Sequence, residues 1–161
     1  MENEIHKSES VESTSNIELS GIRRGLENEM HIRIESDSDI VVAREKGRSI
    51  GKAVGFPSTD LTIIATAISE VARNILIFAK SGEIILGTSD QGERRCVTII
   101  AEDKGPGIRD ISLAMQDGFS TARGLGLGLP GTRRLMDEFQ IMSSLGKGTT
   151  VTMKKWITKN G

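Results

Sequence analysis

Three polar residues, Glu70, Arg73 and Asn74, interrupt an apolar helical stretch that runs over residues 60–80. Glu70 and Asn74 are four residues apart, so both side chains project from the same face of a helix, one turn apart. The carbonyl oxygen of Asn74 suits a hard cation such as Mg²⁺, and Glu70 suits the orientation or deprotonation of an attacking hydroxyl or water. A local hydrogen bond, or a cap to a neighbouring loop, is the structural alternative for this pair.

A single acid followed by two glycines ends the next strong apolar run. Asp103 lies two residues after the apolar run of residues 97–101, and Gly105 and Gly107 follow it. A carboxylate at a strand end can accept a hydrogen bond from an exocyclic amine, while glycines keep side chains out of the path of a ring. An ordinary glycine-rich turn explains the same residues equally well, so this motif alone does not decide between the two.

A second glycine cluster, residues 124–131, leads into a predicted helix at Pro130 and contains a formal G-x-G-x-x-G at Gly126, Gly128 and Gly131. The dinucleotide-binding version of that motif must follow the first strand of a βαβ unit, and no strand pattern precedes this one. The sequence also lacks the G-x-x-x-x-G-K-[ST] of a P-loop. What remains is a glycine loop that enters a helix, where free N–H groups and the helix dipole favour phosphate.

Ser120 and Thr121 lie just before this glycine cluster. Their hydroxyls are candidates for phosphate contacts, although the usual polarity of a turn explains them nearly as well.

The overall composition excludes several functional classes. The chain has 161 residues, a formal net charge of −1 and one cysteine, Cys96. A near-neutral charge gives no reason to expect nucleic acid or an anionic membrane as a partner, and one cysteine excludes an internal disulfide and multi-cysteine metal sites. No apolar stretch is expected to reach the ~20 residues of a membrane span, and the N-terminus lacks the apolar region of a signal peptide. We expect a soluble, cytoplasmic protein.

The periodicity of the chain predicts about five strands and three helices. Strands are expected over 30–36, 83–88, 94–102, 139–144 and 149–157; helices over about 38–54, 60–80 and 130–138, the first capped by Asp37 or Ser38 and the second by Ser58 or Thr59. Sequential hairpins with inserted helices predict an α/β (α+β) two-layer sandwich, in which a mixed, mostly antiparallel sheet carries its helices on one face.

The chain is expected to form one domain with an N-terminal extension. Residues 1–29 are acidic and rich in serine, and they contain too few apolar residues to offset the entropy of ordering, so we expect disorder there. Residues 30–161 are expected to form a single domain.

Taken together, the motifs resemble those of a known family. Glu70-x-x-x-Asn74, Asp103-x-Gly105-x-Gly107, residues 124–128 and Gly148-Thr149 follow the order and spacing of the N, G1, G2 and G3 boxes of the GHKL ATPase/kinase superfamily, which has the Bergerat fold. Residues 68–74, 101–108, 117–121, 128–131 and 134–139 are similar to the RsbT-type switch kinases, the small serine/threonine kinases of bacterial partner-switching pathways. The resemblance extends from about residue 30 to 157. Arg123, beside the glycine loop, departs from it.

The resemblance implies a role for each motif. Asn74 would bind the Mg²⁺ that bridges the phosphates of ATP, and Glu70 would be the general base towards a substrate hydroxyl. Asp103 would accept a hydrogen bond from the adenine amino group, with Thr149 nearby. The remaining expected cofactor-binding residues, which line the base or cover the phosphates, are Gly105, Gly107, Ser120, Thr121, Gly124, Gly126 and Gly128. Positioning and charge neutralisation are most of what phosphoryl transfer requires.

The resemblance also implies partners. Kinases of this type phosphorylate a serine or threonine of a STAS-domain antagonist and, when released, bind and activate a PPM-type phosphatase. An alternative is a binding module related to the anti-sigma factors, which sequesters a sigma factor and phosphorylates an anti-anti-sigma protein. Both share the nucleotide motifs, and the similarity of residues 117–121 and 134–139 favours the switch kinase.

Overall fold

The computed structural model describes residues 25–109, 111–116 and 128–159. In chain order, the elements of this part are β1 (Glu27–Ile34), α1 (Asp37–Val54), α2 (Ser58–Phe78), β2 (Gly82–Gln91), β3 (Arg94–Asp103), α3 (Ile111–Ala114), α4 (Gly128–Leu135), β4 (Glu138–Ser144) and β5 (Gly148–Thr158).

The five strands form one sheet in the order β1-β2-β3-β5-β4. Every pairing in the described part of the chain is antiparallel, so the two-layer sandwich is confirmed while the sheet is antiparallel rather than mixed. In this register Asp103, at the end of β3, lies opposite Thr149 at the start of β5. Two motifs that are 46 residues apart in sequence therefore meet at one end of the sheet.

Helices α1 and α2 pack on one face of the sheet and bury its aliphatic side chains. The core joins Ile64 and Ile68 of α2 to Ile84, Ile99 and other strand residues. The two helices approach closely because α1 carries glycine at the crossing: a Cβ at Gly47 would lie 2.1 Å from Ile68 Cδ1. We expect a side chain at position 47 to displace the end of the Ile68 side chain, since packed interiors have little spare volume.

Helix α2 corrects the expectation that no apolar stretch of the sequence is long enough to span a membrane. Its 21 residues (Ser58–Phe78) are long and apolar enough to cross a membrane, with a mean hydropathy of 1.6, and it is the one such helix in the described ranges. Half of that stretch is buried inside the fold, where α2 packs against α1 and the sheet. This is the position of a core helix, which passes the same test of length and composition.

Several predicted boundaries were wrong by a few residues. The N-cap of α1 is Ser36 rather than Asp37 or Ser38, and its amide donates to the Asp39 carboxylate one turn later. The N-cap of α2 is Pro57 rather than Ser58 or Thr59. Helix α4 covers Gly128–Leu135 instead of 130–138, since Glu138 already belongs to β4.

At the N-terminus, β1 begins at Glu27 and so uses residues that the sequence assigned to the extension. The predicted disorder of residues 1–24 lies outside the described part of the chain.

Candidate functional site

A cavity of about 330 Å³ opens between α2 and the sheet, at the end where β3 finishes and β5 begins. Its walls are mainly apolar, and polar side chains enter at Asn74, Asp103, Arg109 and Thr149. The lining residues are Val71, Asn74, Ile75, Phe78, Ala101, Asp103, Pro106, Gly107, Ile108, Arg109, Ala114, Leu129, Thr149 and Val151. An apolar cavity of this volume with a few convergent polar groups is typical of a site for a small organic ligand.

The carboxylate of Asp103 is held in one orientation by backbone amides. Its Oδ1 accepts hydrogen bonds from the N–H of Gly105, at 2.9 Å, and from the N–H of Thr149, at 3.2 Å. Within the described residues Oδ2 accepts no hydrogen bond, which leaves it to a ligand in the cavity that Asp103 lines. A carboxylate fixed in this way can only accept a hydrogen bond, so it selects a donor such as an amine.

Ser143 joins the three segments around this carboxylate. Its hydroxyl donates to the carbonyl oxygen of Gly148 at 3.1 Å and accepts from the N–H of Ile108 at 2.7 Å. It also lies 2.8 Å from Thr149 Oγ1. Because the one hydroxyl proton of Ser143 is used on Gly148, the proton between the two hydroxyls comes from Thr149. The loop after Asp103 is thereby fixed to the β4–β5 hairpin.

Two glycines permit the close approach of these segments. Gly148 has a φ of 100°, and a Cβ there would lie 2.0 Å from the carbonyl oxygen of Asp103. Gly107 has a φ of 80°, and a Cβ there would lie 2.3 Å from the carbonyl oxygen of Ser144. Both positions therefore require glycine, for backbone conformation and for space.

Gly105 differs from Gly107 in its surroundings. It is not among the residues that line the cavity, whereas Gly107 is. A Cβ at Gly105 would lie 2.6 Å from the Cβ of Ala79, at the end of α2. Its absent side chain thus makes room for α2, and its amide orients Asp103.

Asn74 projects from α2 into the cavity, and its side-chain nitrogen has no partner among the described residues. Its Nδ2 is buried without a hydrogen bond in the described structure. A buried amide group left unsatisfied costs about 1–3 kcal/mol, so a site that keeps one is suited to a polar ligand. Nitrogen and oxygen of a carboxamide are assigned from their partners, so either atom can face the cavity.

Glu70 lies one turn before Asn74 on α2 but outside the cavity lining. The residue is 8% exposed. Its Oε1 accepts a hydrogen bond from Arg73 Nη1 at 2.9 Å, and its Oε2 accepts one from the N–H of Gly128 at 3.2 Å. Gly128 is the first residue of α4, and Thr132 in the next turn donates to its carbonyl oxygen. The carboxylate therefore connects α2 to the segment that follows the glycine run.

The structure brings most of the described candidate residues to one place. Asn74, Asp103, Gly107 and Thr149 line the cavity, and Glu70 contacts Gly128 next to Leu129, which also lines it. The candidates Ser120, Thr121, Gly124 and Gly126 lie outside the described residues, as does Arg123.

Sequence reasoning missed Ser143, Arg109 and the apolar walls of the cavity. Val71, Ile75 and Phe78 line the cavity, and in the sequence they are ordinary members of the apolar helical stretch over residues 60–80. Helical spacing cannot separate a side chain that faces the sheet from one that faces a cavity, because both are apolar and lie on the buried side of the helix.

Comparison with known proteins agrees with this geometry. Residues 59–159 match the family model described as histidine kinase-, DNA gyrase B-, and HSP90-like ATPase. The chain is 51% identical over 127 residues to the serine/threonine-protein kinase RsbT of Bacillus subtilis (strain 168), a match that covers 78% of this chain and 95% of the relative. It is 36% identical over 104 residues to an anti-sigma F factor of Thermoanaerobacter sp. (strain X514), covering 61% of this chain and 71% of the relative.

Among solved structures, the chain is similar in fold to one described as the SiaB-SiaC complex from Pseudomonas aeruginosa. The TM-score is 0.52, the sequence identity is 14%, and the match covers 88% of this chain and 96% of the other. At that identity the likeness concerns the fold alone.

Proposed function

Because this chain belongs to the histidine kinase-, DNA gyrase B- and HSP90-like ATPase family and is a protein serine/threonine kinase, we propose that it phosphorylates a STAS-domain protein from ATP in a cytoplasmic partner switch. The observation that carries the proposal is the oriented carboxylate of Asp103 at the polar end of an apolar cavity. An adenine base needs both a flat apolar space and an acceptor for its amino group.

The base end of the cavity fits adenine in size and polarity. Ile75 and Ile108 are among the apolar residues that would flank the ring, and Asp103 Oδ2 would accept a hydrogen bond from the exocyclic amine. Thr149 Oγ1, which donates to Ser143, keeps its lone pairs for a water next to Asp103. Gly107 supplies backbone where a side chain would narrow the cavity.

The residues present also fit Mg²⁺ bound to a nucleotide. Mg²⁺ prefers hard oxygen ligands and is commonly held by one or two protein groups together with substrate phosphates. The described residues contain no cluster of three or more His, Cys, Asp or Glu side chains that would hold a metal by themselves. The unsatisfied carboxamide of Asn74 would supply one oxygen. When bound, the ion would neutralise phosphate charge during transfer.

Glu70 would act on the substrate hydroxyl. The hydroxyl oxygen forms a bond to the γ-phosphorus while the bond from that phosphorus to the bridging oxygen breaks, ADP leaves, and the hydroxyl proton passes to the Glu70 carboxylate. Arg73 holds Oε1 of that carboxylate, so the other oxygen, now bonded to the Gly128 amide, would receive the proton. A shift at the start of α4 would therefore accompany the reaction.

The partners follow from the resemblance to switch kinases. We assign a serine or threonine of a STAS-domain antagonist as the acceptor, and a PPM-type phosphatase as the protein that the released kinase binds and activates. The match to an anti-sigma F factor supports a second candidate, in which the main task is to sequester a sigma factor.

The test is phosphorylation of candidate partners. Labelled ATP, Mg²⁺ and the chain are incubated with STAS-domain proteins encoded beside it, and any labelled residue is mapped by mass spectrometry. We expect label on one serine or threonine, and binding of the PPM-type phosphatase only after the STAS protein is modified. Absence of label, together with tight binding of a sigma factor, would favour the second candidate.

A further inference from the structure

The face of the sheet that points away from α1 and α2 is buried at its centre. Alternate strand residues such as Ile84 and Ile99 join the core under the helices, so their neighbours point to the opposite side, which we term the outer face. In the register of the sheet Ile85 lies opposite Ile100, and Ile100 lies opposite Thr152. The residues at the centre of the outer face are Ile85, Cys96, Thr98, Ile100 and Thr152.

These side chains are as buried as those under the helices. Cys96, Thr98 and Ile100 are 0% exposed and Ile85 is 1% exposed. The fully buried hydroxyl of Thr98 lies 3.3 Å from the Cys96 thiol, a weak hydrogen-bonding partner. Neighbours in the sheet shield only the sides of a side chain, so complete burial requires material above the face. The helices in the described ranges pack against the other face, so that material comes from elsewhere.

Leu26 shows which part of the chain reaches this face. A Cβ built on Gly87 would lie 3.1 Å from Leu26 Cβ, so Leu26 covers the strand at the glycine opposite Thr98. Leu26 directly precedes β1 and follows a segment with three apolar residues, Ile17, Leu19 and Ile22. Four extended residues span about 13 Å, more than two strand spacings of about 5 Å each.

We propose that residues 17–26 cover the outer face, with the side chains of Ile17, Leu19 and Ile22 on Ile85 and Ile100. The charges are complementary as well, since Arg23 and Arg24 lie in this segment and Glu83 and Glu102 lie on the same side of the sheet. On this proposal the second, more apolar part of the N-terminal extension belongs to the domain. This assignment is independent of the kinase function.

Cys96 offers a direct test, because it is the only cysteine of the chain and lies under the proposed cover. The full chain is treated with iodoacetamide under native conditions, and alkylation of Cys96 is followed by mass spectrometry. We expect slow alkylation in the unchanged chain and a rate at least about tenfold higher in Ile22→Asp, since a carboxylate cannot be buried against this face without a partner. Val11→Asp, which makes the same change outside the proposed cover, should leave the rate unchanged.

A second variant acts from the sheet side. Gly87→Val places methyl groups where Leu26 lies, and valine suits a strand, so this change should release the cover without unfolding the domain. We expect faster alkylation in Gly87→Val as well, while its circular dichroism spectrum remains that of the folded domain. Fast alkylation of the unchanged chain would mean an open face, and unchanged rates in both Ile22→Asp and Gly87→Val would mean another cover; either result overturns the proposal. So would protection that increases with protein concentration, because a second copy would then cover the face.

Discussion

The two ends of the cavity satisfy their polar groups in different ways. At the base end, Asp103 and Ser143 are bonded to backbone groups of neighbouring segments, at distances between 2.7 and 3.2 Å. At the other end Asn74 has a buried amide nitrogen with no partner in the described structure, and Glu70 is bonded to an amide at the start of α4. The groups of the base end are held in place without a ligand, whereas the other end keeps a buried amide nitrogen that has no partner among the described residues.

This difference indicates which steps need rearrangement. A preorganised acceptor loses little conformational entropy when a ligand binds, so the base end should determine which base is recognised. The end with Glu70 and Asn74 should change on binding, because a ligand provides partners that the protein does not. Variants at the two ends should therefore separate binding of the base from binding of phosphates and from phosphoryl transfer.

The largest effect is expected at Glu70. Glu70→Ala should lower the rate of phosphoryl transfer by about 10²–10⁴-fold, the usual contribution of a general base, while ATP stays bound. Glu70→Gln is the matched control, since its amide oxygen can still accept from Gly128. Single-turnover transfer and ATP affinity are measured for both. If Gln restores activity, the carboxylate serves only to anchor α4, and if Ala is fully active Glu70 is not the base.

Asn74→Ala should lower the affinity for Mg·ATP by at least about 100-fold, so that binding is effectively abolished. The loss of a residue that only supports a metal ligand commonly lowers metal affinity about 10–100-fold, and Asn74 is expected to be a ligand itself. Adenosine, which lacks the phosphates, should bind the variant as it binds the unchanged chain, since the base end is intact. Calorimetric titrations with both ligands, with and without Mg²⁺, provide the measurement. Equal losses for adenosine and Mg·ATP would contradict the separation of the two ends.

The fold and the candidate site differ in how much of each could be predicted from the sequence. Element types followed from the sequence, because the apolar residues of α2 extend over a long helical stretch and those of the β2–β3 hairpin form two short apolar runs around a polar turn. Element ends were less certain, since a cap depends on one local hydrogen bond. Asp39, for instance, accepts from the Ser36 amide and so moves the start of α1 to a residue that the sequence pattern did not favour.

Site residues were predictable from the sequence where their position requires a particular residue type. They were not predictable where their role depends on which residues the fold places beside them. Asp103, Gly107 and Asn74 have chemistry or conformations that few residue types supply. Ser143 is an ordinary serine in the sequence, and its role comes from bonds to residues up to 35 positions away. Those bonds depend on the register of β4 against β5, which periodicity alone does not determine.

A change of base preference is expected at Asp103. In Asp103→Asn the carboxamide oxygen can still accept from Gly105 and Thr149, but its nitrogen, a donor, then faces the adenine amine. ATP affinity should fall by about 10–100-fold, which corresponds to 1.5–3 kcal/mol for a hydrogen bond with a charged group. The affinity for inosine triphosphate, whose oxo group is an acceptor, should fall less than the affinity for ATP, or should rise. An unchanged ratio of the two affinities would place base recognition elsewhere.

A smaller effect is expected at Ser143, which supports the base end without contacting the ligand. Ser143→Ala removes the acceptor of the Ile108 amide and the donor to Gly148, so we expect the free energy of unfolding to fall by about 1–2 kcal/mol. ATP affinity should fall only a few-fold while the transfer rate of bound ATP is unchanged. Ser144→Ala, on the opposite face of β4, is the control, and chemical denaturation with nucleotide titration measures both. An unaffected stability would mean that the loop is fixed without Ser143.

The smallest effect is expected at a residue that belongs to neither end. His31 on β1 is bonded to Glu83 and Glu29, and these bonds, chiefly the one to Glu83, raise its pKa above 6.5. A raised pKa means that the folded state binds the proton more tightly, so this stabilisation is fully present below the unfolded pKa and is lost as pH rises through the folded value. Thermal midpoints of the unchanged chain and His31→Gln should therefore differ most at pH values below 6.5 and converge as the pH rises through the raised pKa of His31. ATP affinity should be the same in both proteins at each pH. A difference in affinity that followed the protonation of His31 would mean that β1 is coupled to the cavity. The two ends of the cavity would then not be the only parts of the molecule that control binding.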